Sequence, residues 1–234
     1  IYNSAGGSIY DTNFDSIAAS AVDITTAVDR LRIQAADRQN DALEEPFPYE
    51  LTVRDVDGLT VDAVAASSRP VSITAGTSLD LLAAIVSGDD VSISAGDSFI
   101  VSAPIATAFG RIALAAPDID VRSGIRILDT NPDERVVDIS ITATAGNLVL
   151  NDAVHAVNRV QLNQEGTGGI QGTARVGGDV IEVRAAGDVA MATAANVVVV
   201  STTGAVTVDE ADAAAFEIRN SPTVTLVAHG ADLL

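Results

Sequence analysis

An apolar–polar–apolar triplet returns along this chain at a nearly constant interval. It stands at Leu51-Thr-Val53, Val71-Ser-Ile73, Val91-Ser-Ile93, Ile112-Ala-Leu114, Ile139-Ser-Ile141, Val160-Gln-Leu162 and Ile181-Glu-Val183. Every step but one is close to the short end of the periods known for stacked repeats. The exception, from Ile112 to Ile139, contains a polar insert, Asp129-Thr-Asn-Pro-Asp-Glu134, which accounts for its extra length. Self-similarity at a fixed period means stacked structural repeats, and this constrains the fold more tightly than composition does.

Six of the seven triplets, all but Val160-Gln-Leu162, are followed about eight residues later by a second apolar pair, within the span expected for short strands joined by tight turns. These are Leu59-Thr-Val61, Leu79-Asp-Leu81, Phe99-Ile-Val101, Ile119-Asp-Val121, Leu148-Val-Leu150 and Val189-Ala-Met191. The links carry Gly58, Gly76, Gly96, Pro117, Gly146 and Gly187, which suit turns. A weaker third element lies near Ile85, Ile105, Ile125 with Ile127, Val157 and Val176. Arg69-Pro70, Gly88-Asp-Asp90, Gly110-Arg111, Asn158-Arg159 and Gly178-Asp179 close the repeats. Alternation with period two turns the Ile, Val and Leu of each strand to one side, where they can stack on their equivalents one repeat away. The expected fold is all-β: a right-handed parallel β-helix, or β-solenoid, of about 20–21 residues per rung with three short strands per rung. A β-sandwich also has strands about every 8–12 residues, but it does not keep one register at this period. Counting the irregular elements at Val198–Val200, Val206–Val208, Phe216–Ile218 and Val224–Leu226, the chain makes about nine rungs, a rod of roughly 40 Å at the spacing of paired strands.

Composition fits a narrow coil. The hydrophobic fraction is 47%, yet aromatics make up 3%, so Ala, Val, Ile and Leu supply the core. With no cysteine and no lysine among its residues, the chain has no disulfide, thiolate metal site, Lys–Asn isopeptide staple or Schiff-base chemistry. The net charge of −19 argues against nucleic acid as a partner, because phosphate would be repelled. No apolar run is long enough to span a membrane as a helix, and no membrane insertion is expected.

Residues 1–48 read as an N-terminal connector or junction segment of mixed character, and residues 49–234 as the solenoid. Leu31-Arg-Ile33 lies one period before Leu51 and is the candidate start of a first rung. The positions Ile17, Ala21, Ile24, Val28, Leu31 and Ala35 also fit a helical heptad, against which the β-branched residues around Ile24 weigh. The apolar ends of the coil carry no capping element, and uncapped strand edges favour stacking on further rungs or on copies of the same chain.

The Val-Ser-Ile-x-Ala-Gly-x-Ser-Leu-x-Leu grammar of Val71–Leu81, Val91–Val101, Ile139–Leu150 and Ile181–Met191 resembles the repeats of filamentous-haemagglutinin-like exoproteins and other giant repetitive bacterial surface proteins. The resemblance covers roughly residues 49–226 and rests on a packing pattern. It implies export, a right-handed β-helix, and a role in adhesion, surface coating or fibre formation. The expected function is therefore a structural module of an extracellular fibre or adhesin-like cell-surface protein, partnered end to end by copies of itself or by adjacent repeats. The alternative is a glycan-acting or glycan-binding parallel β-helix protein.

Catalysis is not expected. His155 sits in a rung turn and His229 in a Gly-rich stretch near the C-terminus, and both read as solvated histidines. Asp118, Asp120 and Arg122 alternate on one outward face, with Arg111 and Arg126 nearby, and make the best available trio for glycan chemistry. After residue 50 the aromatics are Phe99, Phe109 and Phe216, and Phe99 and Phe216 read as core, so no aromatic sugar platform is apparent. The candidate metal site is a calcium loop at Asp129, Asn131 and Asp133, whose alternating oxygen ligands suit that ion. Asp11, Asn13 and Asp15 repeat the pattern. Neither continues as an EF-hand: Glu134 or Ser16 stands where Gly is needed, and Ser140 or Val22 where Glu is needed. No other cofactor is expected; Gly166-Thr-Gly-Gly169 and Gly177-Gly178 read as turns or bulges, because neither opens a helix as a phosphate loop would.

Overall fold

The computed structural model describes residues 8–11, 21–27, 29–33, 50–63, 70–128, 138–212 and 214–229. These residues form one parallel sheet wound into a β-solenoid, with no helix among them. Three strand columns run along the coil. The first stacks Ala21–Thr26, Glu50–Asp55, Val71–Ala75, Val91–Ala95, Ile112–Ala116, Asp138–Ala143 and Arg159–Gln164. It continues through the last parts of the long strands Ile170–Ala185 and Val189–Thr202 and ends on Ala215–Arg219. The second begins with Ser8–Asp11 on Arg30–Ile33, includes Leu59–Ala63, Leu79–Leu81, Ser98–Val101, Asp118–Val121 and Leu148–Leu150, and ends with Val206–Glu210 on Val224–Ala228. The third is shorter: Ile85–Ser87, Ile105–Thr107, Ile125–Ile127 and Val154–His155, then the middle of the two long strands.

The columns form because equivalent residues meet at every rung. Leu51 pairs with Val71, Val71 with Val91, Val91 with Ile112, Ile112 with Ile139, Ile139 with Val160 and Val160 with Ile181. The alternation then buries one aliphatic stack after another: Val53, Ile73, Ile93, Leu114, Ile141, Leu162, Val183 and Val200 are each at most 2% exposed. Each such side chain contributes about 1.5–3 kcal/mol by leaving water. Phe99 occupies a stack position between Leu79 and Ile119 and is fully buried, so the coil admits a single ring where its neighbours are aliphatic.

Four details differ from the reading by period. Leu31 pairs with Val61 in the second column, and the strand before Leu51 in the first column is Ala21–Thr26, where Val22 meets Leu51. Counting back one period lands on Leu31, but the actual step from Val22 to Leu51 is longer. The third-column strand after Ile125 is Val154–His155; Val157 lies beyond it in a bend. Ile170 is a second-column strand residue, paired with Leu148 and Val189, and the glycines before it mask that role in the sequence. Gly177, Gly178 and Asp179 are extended backbone within Ile170–Ala185 and form no turn.

Towards the C-terminus the rungs contract. Val154 pairs with Val176, but Val176 pairs with Thr193, a shorter step along the chain. Val189 meets Val206 at the same short interval, and Val206 meets Val224 at one close to it. The shorter circuit abolishes the turns between columns, which is why Ile170–Ala185 and Val189–Thr202 run as long, bent strands.

Candidate functional site

Several outward polar side chains are bonded to the rung above or below. On the first column Ser94 donates to Thr74 at 3.2 Å, Asn163 to Thr142 at 3.5 Å and Gln161 to Glu182 at 3.2 Å. Along the corner into the second column, Asp118 accepts the Asn147 backbone N–H at 2.8 Å, Asn147 accepts that of Gly169 at 3.1 Å, and Asp188 accepts that of Ala205 at 2.8 Å. Gln164, almost fully buried, donates to the carbonyls of Ala145 and Gly146 and accepts from the Ala186 N–H, tying three rungs together. These acceptors satisfy turn amides that a narrow coil would otherwise leave unpaired.

Of the sequence trio, Asp120 and Arg122 come together, and Asp118 bonds elsewhere. Asp118 is committed to the Asn147 amide. Asp120 pairs with Arg122 at 2.7 Å and accepts from the Asn151 amide at 2.8 Å on the next rung. Arg111 stands at the corner before the first column, and Arg126 belongs to the third column. Phe109 is exposed at a corner, apart from those acids along the rung, while Phe216 is half-buried against the end of the core. His229 pairs with Asp209 at 2.8 Å at the last rung. The loop Asp129, Asn131 and Asp133 lies outside the described residues, as do Asn13 and Asp15; Asp11 is in the strand Ser8–Asp11. Among the described residues no three His, Asp or Glu side chains gather as metal ligands, and no helix is long and apolar enough to cross a membrane.

Two acidic features have no counterpart in the sequence reading. Glu210 is completely buried. Its carboxylate accepts the Thr193 hydroxyl at 2.6 Å, the Ala195 N–H at 3.3 Å and the Asp212 N–H at 3.0 Å. The signal is present in the alternation: Val206, Val208 and Glu210 point the same way, so this glutamate must enter the core side and find donors there. At the opposite end of the coil, Asp55 accepts the Asp57 backbone N–H at 3.1 Å. A side-chain hydrogen bond to Asp55 holds the Asp57 carboxyl above the usual aspartate range, with desolvation and the negative charges of Asp55 and Asp29 acting in the same direction.

A shallow, open concavity of about 520 Å³ lies beside the rung contraction. Gly178, Ala194 and Ala195 lie at this concavity together with His155, Asn158, Asp179, Asn196 and Asp212. Asn158, Asp179 and Asn196 occupy one position on three successive rungs, each immediately before the paired residues Arg159, Val180 and Val197. Asn196 donates to Asp179 at 2.7 Å. His155 pairs with Gly177, and its ring occupies the space a β-carbon on Gly177 would need, since that atom would stand 2.5 Å from the imidazole Nδ1.

Comparison of the chain with protein-family models, curated proteins and solved structures gives no match.

Proposed function

We propose that this chain is a structural solenoid module of an extracellular bacterial fibre or giant adhesin-like surface protein, of the filamentous-haemagglutinin-like kind, and that it associates end to end. The observation that carries the reading is the last rung. Ala215–Arg219 and Val224–Ala228 each pair on one side only among the described residues. Phe216, Ile218 and Leu226, which continue the core stacks, are only half-buried there, and Val224 is 45% exposed. Such a strand edge beside a half-covered core is a template for another rung, supplied by adjacent repeats of a larger chain or by a copy of this one. A copy of the chain docking there would extend the same ladder, and such a head-to-tail contact does not close, so it grows a filament. The polar ladders and the internally paired Asp120 and Arg122 support a mechanical, non-enzymatic role.

The test is sedimentation velocity over a range of protein concentrations, on the wild type and on Ile218→Glu. The wild type is expected to form concentration-dependent oligomers and the variant, checked for intact β-structure by circular dichroism, to remain a monomer. A wild type that sediments as a monomer throughout, or a variant that associates equally well, overturns the proposal.

A further inference from the structure

We infer that Asp57 is a site of slow, spontaneous backbone isomerisation, its link to Gly58 converting through a cyclic imide to isoaspartate. Asp57-Gly58 is the single Asp-Gly step in the sequence, and there is no Asn-Gly step. It lies in the bend that joins Glu50–Asp55 to Leu59–Ala63, with Asp57 exposed. The reaction needs a carboxyl within reach of the next residue's nitrogen and a link that can fold back on itself. Glycine lacks the β-carbon that hinders such folding. The bonds of the bend leave that nitrogen available. The Asp57 N–H donates to the Asp55 carboxylate at 3.1 Å, the Asp57 carbonyl accepts the Thr77 N–H at 2.9 Å, and the Leu59 N–H donates to the Ser78 carbonyl at 2.8 Å. Among the described residues none accepts the Gly58 N–H.

Water is the only co-reactant. The Gly58 nitrogen attacks Asp57 Cγ: an N–Cγ bond forms, a Cγ–O bond breaks, and the oxygen leaves as water with the Gly58 amide proton and the carboxyl proton. Water then adds at the former main-chain carbonyl of Asp57 and the bond from that carbon to nitrogen breaks, so the chain continues through Cβ and Cγ. A neutral carboxyl loses water where a carboxylate does not, and the surroundings favour the neutral form. The side-chain hydrogen bond to Asp55, with the negative charges of Asp55 and Asp29, holds the Asp57 carboxyl above its ordinary range. Asp97-Ser98 is the internal comparison. It stands at the same corner two rungs on and is exposed like Asp57, but serine follows it and its carboxylate accepts the Ser78 hydroxyl at 3.4 Å. Isoaspartate adds one methylene to the bend and displaces the carbonyl that Thr77 uses, so the corner slackens while Leu59 and Val61 stay in the core.

The experiment is a time course of full-length protein in warm, mildly acidic buffer, with an Asp-Gly model peptide as positive control. Electron-transfer mass spectrometry of peptides and isoaspartyl methyltransferase labelling give the readout. Gly58→Ala and Asp57→Glu accompany the wild type. A β-carbon at residue 58 meets the Thr77 hydroxyl at 3.1 Å, a side-chain atom that can turn aside. Both variants are checked for wild-type circular dichroism, and if either fails, the rates at Asp57 and Asp97 within the wild type decide. Isoaspartate is expected at residue 57 ahead of every other aspartate, preceded by a species lighter by one water. Gly58→Ala should slow it roughly fivefold or more, through the loss of glycine's backbone freedom, and Asp57→Glu should abolish it. No isoaspartate at residue 57 while the model peptide converts, equal rates at Asp57 and Asp97, or a rate unchanged by Gly58→Ala overturns the inference.

Discussion

Replacing Gly96 with alanine probes one of the tightest requirements of the coil. A β-carbon there would lie 2.1 Å from the carbonyl oxygen of Gly76, a backbone atom of the neighbouring rung that cannot swing aside. Relief needs a displacement of roughly 1 Å between rungs that paired strands hold at about 4.8 Å. That displacement strains two inter-rung bonds, from the Gly96 N–H to Ala75 at 3.1 Å and from the Asp97 N–H to Thr77 at 3.0 Å. Overpacking costs about 1–3 kcal/mol and each weakened hydrogen bond roughly 0.5–1.5 kcal/mol, so Gly96→Ala should destabilise by about 2–6 kcal/mol. Gly124 is the control. A β-carbon there meets only the Ala153 carbonyl at 3.8 Å, an ordinary contact. Gly124→Ala should therefore be neutral or stabilise by up to about 1 kcal/mol, through the reduced freedom of the unfolded chain. Urea unfolding followed by circular dichroism gives both values, and hydrogen exchange should place the Gly96→Ala damage at the corner formed by residues 76 and 96. Equal stabilities for the two variants, or a Gly96→Ala variant as stable as wild type, would refute the stacked-corner geometry.

Three further outcomes follow from the same structure. Glu210→Ala leaves the Thr193 hydroxyl and the Ala195 and Asp212 amides without their acceptor, so it should cost about 3–5 kcal/mol, measured by urea unfolding, while Glu210→Gln, which keeps one acceptor oxygen, should cost distinctly less. The raised Asp57 pKa means that the folded chain binds a proton more readily than the unfolded chain, so this group's contribution to stability falls as pH rises from the ordinary aspartate value through the raised one. Asp57→Asn should flatten that part of the stability profile, and a carboxyl NMR titration should place the Asp57 midpoint above that of an ordinary aspartate. Calcium should bundle filaments side by side by screening the −19 charge, and light scattering that ignores both added calcium and a chelator would contradict this.

The solenoid is legible in the sequence because its information is repetitive and local. Each inward Val, Ile or Leu has an equivalent one period away, and a single register satisfies all of them from Leu51 to Val183. Legibility ends where the period changes. Subtracting one period places Leu31 in the first column, yet an unequal step puts it beside Val61. After Ile170 the circuit shortens, and residues that normally mark turns, such as Gly178 and Asp179, lie in extended backbone because the turn has gone. The candidate site is the least legible part for a physical reason. Asp120 and Arg122, two apart in sequence, pair with each other, whereas rung stacking takes Asp118 to the Asn147 amide and Asp120 also to the Asn151 side chain. Asn158, Asp179 and Asn196 are far apart in sequence and meet only through register. Glu210 is readable by strict alternation, and the other acids around it obscure it.

Electron microscopy of the native protein in negative stain bears most directly on the end-to-end rod. Unbranched filaments many times longer than one chain, shortened to single particles by Ile218→Glu, are the expected result. Discrete particles the length of a single coil in the wild type, at every concentration imaged, would contradict it.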